Sequence, residues 1–242
     1  MIKKNNKLKI IKKNNIKLVK KNIGEIKYES TTSKWKPKST ANTYEALKIV
    51  EKTLNEENIE TEIFQTGAKP ISGCISCRKC SELGHCIITD DCVNEFVEKM
   101  KNYDGFIFAT PVYYASMAGN FKSFMDRVFF SASAAGHQDY FAFKPAASII
   151  TARRAGTTAT YDELNKYYGI NQMPIISTRY WNMIHTDAQN PDKLHEDKEG
   201  VQVIEMLAKN MAYYLKCIQA GKEAGIKHPE FPEQINFTNF IR

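Results

Sequence analysis

The chain has 242 residues, enough for one α/β domain with a sizeable core, and its 43% hydrophobic and 25% charged content is ordinary for a soluble globular protein. No apolar run is long enough to span a bilayer, and the N-terminus lacks a signal's apolar core and cleavage site, so a cytoplasmic protein with no membrane partner is expected. The net charge of +7 is uneven: residues 1–40 hold 13 lysines and two acids, a balance of +11, which leaves −4 on the other 202 residues.

That asymmetry argues against a nucleic-acid partner. A nucleic-acid footprint needs Lys and Arg spread over a folded face with aromatics between them. Residues 1–23 contain neither Arg nor an aromatic and are almost wholly Lys, Asn, Ile and Leu. Residues 1–24 therefore read as a disordered, low-complexity basic tail, or else as an arm drawn to an anionic surface. The folded domain is expected over 25–242.

From residue 42 the pattern becomes regular. Asn42 followed by Glu45 has the form of a capping box, and Ala46, Leu47, Val50 and Leu54 continue it at helical spacing. Residues 59–65 (IETEIFQ) read as a strand. Residues 68–88 are irregular and hold four cysteines. A second helix starts at 89–91, with Val93, Phe96, Val97 and Met100 on one face. Residues 105–110 (GFIFAT) are a short apolar run of the kind found in buried parallel strands, ending at Pro111. A helix from Asn120 carries Phe121, Phe124, Met125, Val128 and Phe129. AASIIT (146–151) is another buried strand, 160–168 a short helix, 174–181 (PIISTRYW) a strand, and 200–221 a long helix. Helices and strands alternating in this way build a doubly wound α/β sheet, whose ligands bind beyond the carboxyl ends of the strands.

Two segments at those ends carry chemistry. In TPVYYASMAGNFKSFMDR (110–127), two aromatics follow a buried strand, and small residues then allow backbone to approach a flat ligand. Backbone amides there can bond the polar edge of a flavin ring, with Tyr113 and Tyr114 bordering it; the alternative is an ordinary strand–loop–helix link. Cys74, Cys77, Cys80 and Cys86 are spaced C-x2-C-x2-C-x5-C. Four thiolates so close can wrap a [4Fe–4S] cube, whereas zinc more often takes two separated CxxC knuckles and a redox dithiol needs only one. Plain reduced thiols in a tight loop are the simpler alternative. Cys92 and Cys217 fall in helices and are expected to pack; Asp126 and Arg127 lie inside a helix and are expected to be structural. His185 follows a strand tip, where it borders a flavin or is simply a surface residue, and Tyr180, Trp181 and Asn182 beyond the same tip cover a flavin or seal a subunit interface.

With ISGCISCRKCSELGHC, TPVYYASMAGNFKSFMDRVFFSAS, KPAASIITARRAGTTATYDELNKYY and QMPIISTRYWNMIH in that order, the chain resembles the flavodoxin-like NAD(P)H-dependent FMN reductases over about residues 37–242. The resemblance implies a flavodoxin-like fold with strand order 2-1-3-4-5, FMN at the switch point, and a homodimer or homotetramer. Pro111, Val112, Tyr113 and Tyr114 match the flavin-ring loop, and Thr151, Ala152, Arg153, Arg154 and Gly156 match the third FMN-facing loop. Arg153 and Arg154 also suit a nucleotide phosphate, which guanidinium binds as a fork.

The phosphate loop departs from the family pattern. SKWKPKSTANT keeps Pro37, Asn42 and Thr43 but places Lys36, Lys38 and Ala41 where the family has Ser, Arg and Gly. Lys38, Ser39 and Thr40 remain as donors, and the preceding GEIKYES makes a degenerate first strand. The cysteine spacing is also that of the related iron–sulfur flavoproteins. The expected function is an FMN-dependent NAD(P)H oxidoreductase serving a small-molecule or protein acceptor. The alternatives are an iron–sulfur flavoprotein electron carrier and a non-catalytic relic with an impaired phosphate loop.

Overall fold

In the segment FIFATPVY, successive side chains point to opposite faces of a strand, and both sets are apolar, so the strand is buried on both sides. The computed structural model describes residues 42–66, 69–187, 189–230 and 238. The basic tail, the degenerate first strand and Lys38, Ser39 and Thr40 lie outside the described residues.

In chain order the elements are α1 (Asn42–Glu56), α2 (Cys80–Leu83), α3 (Val93–Met100), β1 (Phe106–Tyr113), β2 (Ser116–Met117), α4 (Gly119–Ala134), β3 (Ala146–Ala152), α5 (Thr157–Ile170), β4 (Met183–His185) and α6 (Lys198–Glu223). The sheet order is β2-β1-β3-β4. β1 and β3 run parallel, with Phe106 opposite Ala146 and Thr110 opposite Ile150. β4 runs parallel on the far side of β3, with Ala152 opposite His185. The two-residue β2 folds back antiparallel on the tip of β1. The three parallel strands follow one another as the last three of the expected 2-1-3-4-5 order do.

Each face of the sheet is covered by helices, as a doubly wound fold requires. Phe106, Phe108 and Ile150 face a cluster with Phe96, Phe124, Phe129 and Tyr168 from α3, α4 and α5. Ile107, Ala109, Ala147 and Ile149 face Leu47, Val50, Ile204, Leu207 and Met211 from α1 and α6. On the first face Phe96 meets Phe124 and Phe108 at centroid separations of 5.1 and 6.1 Å, edge to face. Such pairs contribute about 0.5–1.5 kcal/mol each beyond burial.

Four expectations are corrected. Over residues 59–65 only Glu60 forms a bridge, and no strand results among the described residues. The strand expected at 174–181 is split. Pro174 O and Ile176 N bond Ala146, then the chain leaves the sheet, and Asn182 O rejoins it at Ile150 N. Within the excursion the Thr178 hydroxyl accepts from Tyr180 N at 3.1 Å and donates to Tyr180 O at 2.6 Å, a local turn that competes with the ladder. Asn42 does not cap α1; its Nδ2 donates to Asp187 O at 3.1 Å instead. α5 begins three residues earlier than expected, because Gly156 enters it at φ 95°. None of the described helices is long and apolar enough to cross a membrane.

Candidate functional site

The carboxyl ends of β1, β3 and β4 meet the start of α1. There the Thr43 and Thr151 hydroxyls bond each other at 2.9 Å, both buried, fixing α1 to the tip of β3. Ala152 O accepts from Thr186 N at 3.0 Å, and Arg154 O bonds His185 Nε2 at the same distance. Asp197 secures the underside: Oδ1 caps α6 through Gly200 N at 2.9 Å, and Oδ2 accepts from His185 N at 2.7 Å.

The β1 loop and the β3 loop touch. A Cβ on Gly156 would lie 2.7 Å from Val112 Cγ1, so only glycine allows this approach, and its φ of 95° independently favours glycine. Pro111 and Val112 are half-buried, while Tyr113 is 48% exposed and Tyr114 fully exposed at φ 61°. Tyr114 therefore projects from the strand tip in a left-handed conformation that a non-glycine residue adopts at a cost of order 1–3 kcal/mol. Arg153 and Arg154 are exposed, and neither forms an ion pair among the described residues. The structure thus gathers Asn42, Thr43, Pro111, Val112, Tyr113, Tyr114, Thr151, Ala152, Arg153, Arg154 and Gly156 around one sheet edge.

The second constellation lies along α4. Cys74, Cys77, Cys80 and Cys86 line one small pocket, open to solvent, together with Arg78, Arg127, Phe130 and Ser131. Cys74 and Cys77 are exposed and Cys80 is buried. Burial pushes the Cys80 thiol up. Ser76 and Arg78, each beside Cys77, adopt φ of 54° and 58°, reversing the chain twice within the first three cysteines. Cys80 opens the one-turn α2, which Gly84 closes at φ 75° by donating to Cys80 O.

Cys86 is held at both backbone and sulfur. Asn94 accepts from Cys86 N at 3.0 Å and donates to Cys86 O at 2.8 Å. Arg127 Nε and Nη2 both donate to Cys86 Sγ at 3.3 Å. Arg127 is 1% exposed, ion-paired with Asp91, whose side chain is 3% exposed, and donates to Ser72 O and Ile88 O. Burial works against its charge, yet the bonds to Asp91 and Cys86 outweigh that and hold its pKa above the ordinary value.

Arg127 meets the structural expectation through its buried pair with Asp91, but its bonds to Cys86 were not legible in sequence, because that partner lies 41 residues away. Asp126 meets the structural expectation, in a surface network with Lys122 and Tyr167. Cys92 sits just ahead of α3, bonded to Thr66 O, with its thiol pushed up to about 12 mainly by burial. Cys217 corrects the packing expectation: it lies exposed on α6.

One helix connects the two constellations. α4 starts just after β2, and its first turn clips the cysteine segment through Asn120, which bonds Ile71 N and Lys69 O. Arg127 follows Gly119 by eight helical residues, about 12 Å of rise.

Parallel strands wrapped on both faces, with a loop cluster at their carboxyl tips, define a flavodoxin-like α/β protein. Residues 36–188 match the NADPH-dependent FMN reductase family, and the chain belongs to that family of flavoprotein oxidoreductases. It is 28% identical over 187 residues to an iron-sulfur flavoprotein of Methanocaldococcus jannaschii, covering 76% of this chain and 95% of that one. An iron-sulfur flavoprotein of Archaeoglobus fulgidus is 30% identical over 181 residues, covering 72% and 89%. Among solved structures, RosB, solved with 8-demethyl-8-formylriboflavin-5'-phosphate, superposes with a TM-score of 0.57 at 12% identity over 90% of this chain and 93% of its own.

Both groups that these relatives imply fit the residues present. At the strand tips, the Thr186 hydroxyl is shielded from solvent with no hydrogen-bond partner among the described residues, leaving a donor for an anion near the start of α1. At the cysteine cavity, no three His, Cys, Asp or Glu among the described residues are gathered closely enough to hold a single ion. Cys74, Cys77, Cys80 and Cys86 nonetheless line one pocket, and four thiols are the donor set that a [4Fe–4S] cluster takes.

Proposed function

We propose that this chain is an electron-transferring oxidoreductase that holds FMN at the strand tips and a [4Fe–4S] cluster on Cys74, Cys77, Cys80 and Cys86. It exchanges electrons with a redox protein partner and a small-molecule or protein acceptor. The observation that carries this reading is the ring of four cysteines on one cavity, with Arg127 already bonded to one sulfur. FMN would supply two-electron chemistry and the cluster one-electron exchange.

The protein's residues bind and orient. Thr43, Thr151 and Asn42, with Lys38, Ser39 and Thr40, would take the phosphate end, where free amides favour an anion. Pro111, Val112, Ala152 and Gly156 would floor the ring, with Tyr113 and Tyr114 excluding water from its edge. The exposed Cys74 and Cys77 give the cysteine ring its solvent side, where a partner protein would dock. Tyr180 and Trp181, half exposed and edge to face at 4.7 Å, suit the contact of a homodimer or homotetramer. Free cysteines throughout the described residues suit a reducing, cytoplasmic setting.

One observation favours a second reading, in which NAD(P)H is the electron donor: two exposed arginines at the β3 tip with no ion pair among the described residues. A guanidinium fork there suits a nucleotide phosphate.

The two readings separate in anaerobic rapid mixing. A reduced one-electron donor protein should reduce the wild type and fail with Cys77→Ser, while photoreduction of the flavin persists in both. If NADPH reduces the wild type and Cys77→Ser equally, and Arg153→Ala/Arg154→Ala raises the KM for NADPH, the second reading holds instead. A protein that takes up no FMN on reconstitution would be the relic.

A further inference from the structure

Arg127 is among the largest fully buried side chains of the described residues, and nothing in the flavin constellation uses it. A buried charge is costly, and replacing a buried ion pair by apolar residues is often neutral or stabilising, so its retention inside α4 invites a role beyond packing. Its contacts point to one. Two of its N–H groups converge on Cys86 Sγ at 3.3 Å, and the rest of its fork is held by Asp91, Ser72 O and Ile88 O. Asp91 in turn is fixed by accepting from Val93 N at 3.1 Å at the start of α3. Cys86 cannot drift from this fork, because Asn94 grips its backbone on both sides.

We propose that Arg127 and Asp91 set the reduction potential of the cluster at the cysteine ring, Arg127 raising it through its charge and its two bonds to the Cys86 sulfur, and Asp91 moderating that effect. The proposal rests on the cluster reading. Reduction adds one electron, taken from the bound flavin or a one-electron donor protein, and therefore one negative charge; no bond forms or breaks and no proton has to follow. Donor N–H groups and a fixed cation stabilise the more negative state, and they act strongly here because water is excluded from both side chains. Arg127 is a positioning residue in this sense: it acts through Cys86 and through the field, not by ligating iron.

The two partners should move the potential in opposite directions, which a purely structural role would not. Asp91→Asn keeps the oxygen that accepts from Val93 N and removes the opposing charge. In an anaerobic titration followed by electron paramagnetic resonance, it should shift the one-electron equilibrium towards the reduced cluster by at least tenfold, 59 mV upward. Adding Arg127→Gln to that variant, so that no lone charge is left buried, should shift it back by at least tenfold. If the double variant loses iron, Arg127→Lys, which keeps charge but loses the fork, should still lower the potential. Midpoints unchanged within threefold in Asp91→Asn and in the Arg127 variant, with iron content intact, would overturn the proposal. Wild-type protein prepared without oxygen that holds FMN but no stoichiometric iron and sulfide would instead remove the cluster reading, and the proposal with it.

Discussion

Ser76 and Arg78 hold left-handed backbone conformations in the cysteine loop, and neither is a glycine. Each such residue costs of order 1–3 kcal/mol, and strain of this kind concentrates where a ligand clamp needs it. Because both side chains are exposed, the strain can be relieved without opening the core. Ser76→Gly is expected to raise the melting temperature of the metal-free protein, by about 1 kcal/mol of stability. An unchanged or lowered melting temperature would mean that the loop is not strained there. The charge of a half-buried side chain gives a second test. Burial pulls the Lys144 pKa down to about 8 from 10.5, despite Asp104 and Asp139 nearby. The unfolded chain therefore binds more protons between pH 8 and 10.5, so stability contributed by this group rises with pH through that window and is lowest below it. Lys144→Met should remove this rise, of at most about 1.4 kcal/mol per pH unit, in denaturant titrations at pH 8 and 10. Identical pH slopes in both proteins would contradict the assignment.

Among the elements, the joint between the β1 and β3 loops has the least tolerance. Gly156 meets Val112 where a Cβ would lie at 2.7 Å, and it turns the chain into α5 at φ 95°. Gly156→Ala should destabilise the fold by about 1–3 kcal/mol and weaken FMN binding more than Tyr114→Ala does, by separating the two loops. FMN affinity equal to wild type, measured by fluorescence quenching, would place the ring elsewhere. The β1 and β3 runs were readable because a buried parallel strand is apolar on both faces, and α4 and α6 because their apolar spacing is long and regular. The split of 174–181 was not, since β-branched and aromatic residues there look strand-like, while the Thr178 turn that breaks the ladder depends on a local side-chain bond. Asn42 shows the same limit: its spacing to Glu45 has the capping form, but Asp187, 145 residues away, takes the side chain.

At the scale of the molecule, α4 joins the strand tips to the cysteine segment. It begins just beyond β2, which folds back on the tip of β1, clips the entry of the cysteine segment through Asn120, and presents Arg127 to Cys86. The cysteine spacing and the flavin-loop motif were legible in sequence because each is local. Their common attachment to α4 was not, because it depends on contacts across 41 or more residues, such as Arg127 with Cys86 and Asn120 with Ile71. The central claim, that one chain carries both an FMN site and a four-cysteine cluster site, is met most directly by metal, sulfide and flavin analysis of protein purified without oxygen. The account predicts about four irons and about four acid-labile sulfides per chain alongside FMN. Replacing any one of Cys74, Cys77, Cys80 or Cys86 by serine should abolish the iron and keep the FMN, whereas Cys92→Ser or Cys217→Ser should change neither. Oxygen-free wild-type protein that holds FMN with no iron, or zinc in its place, would contradict it.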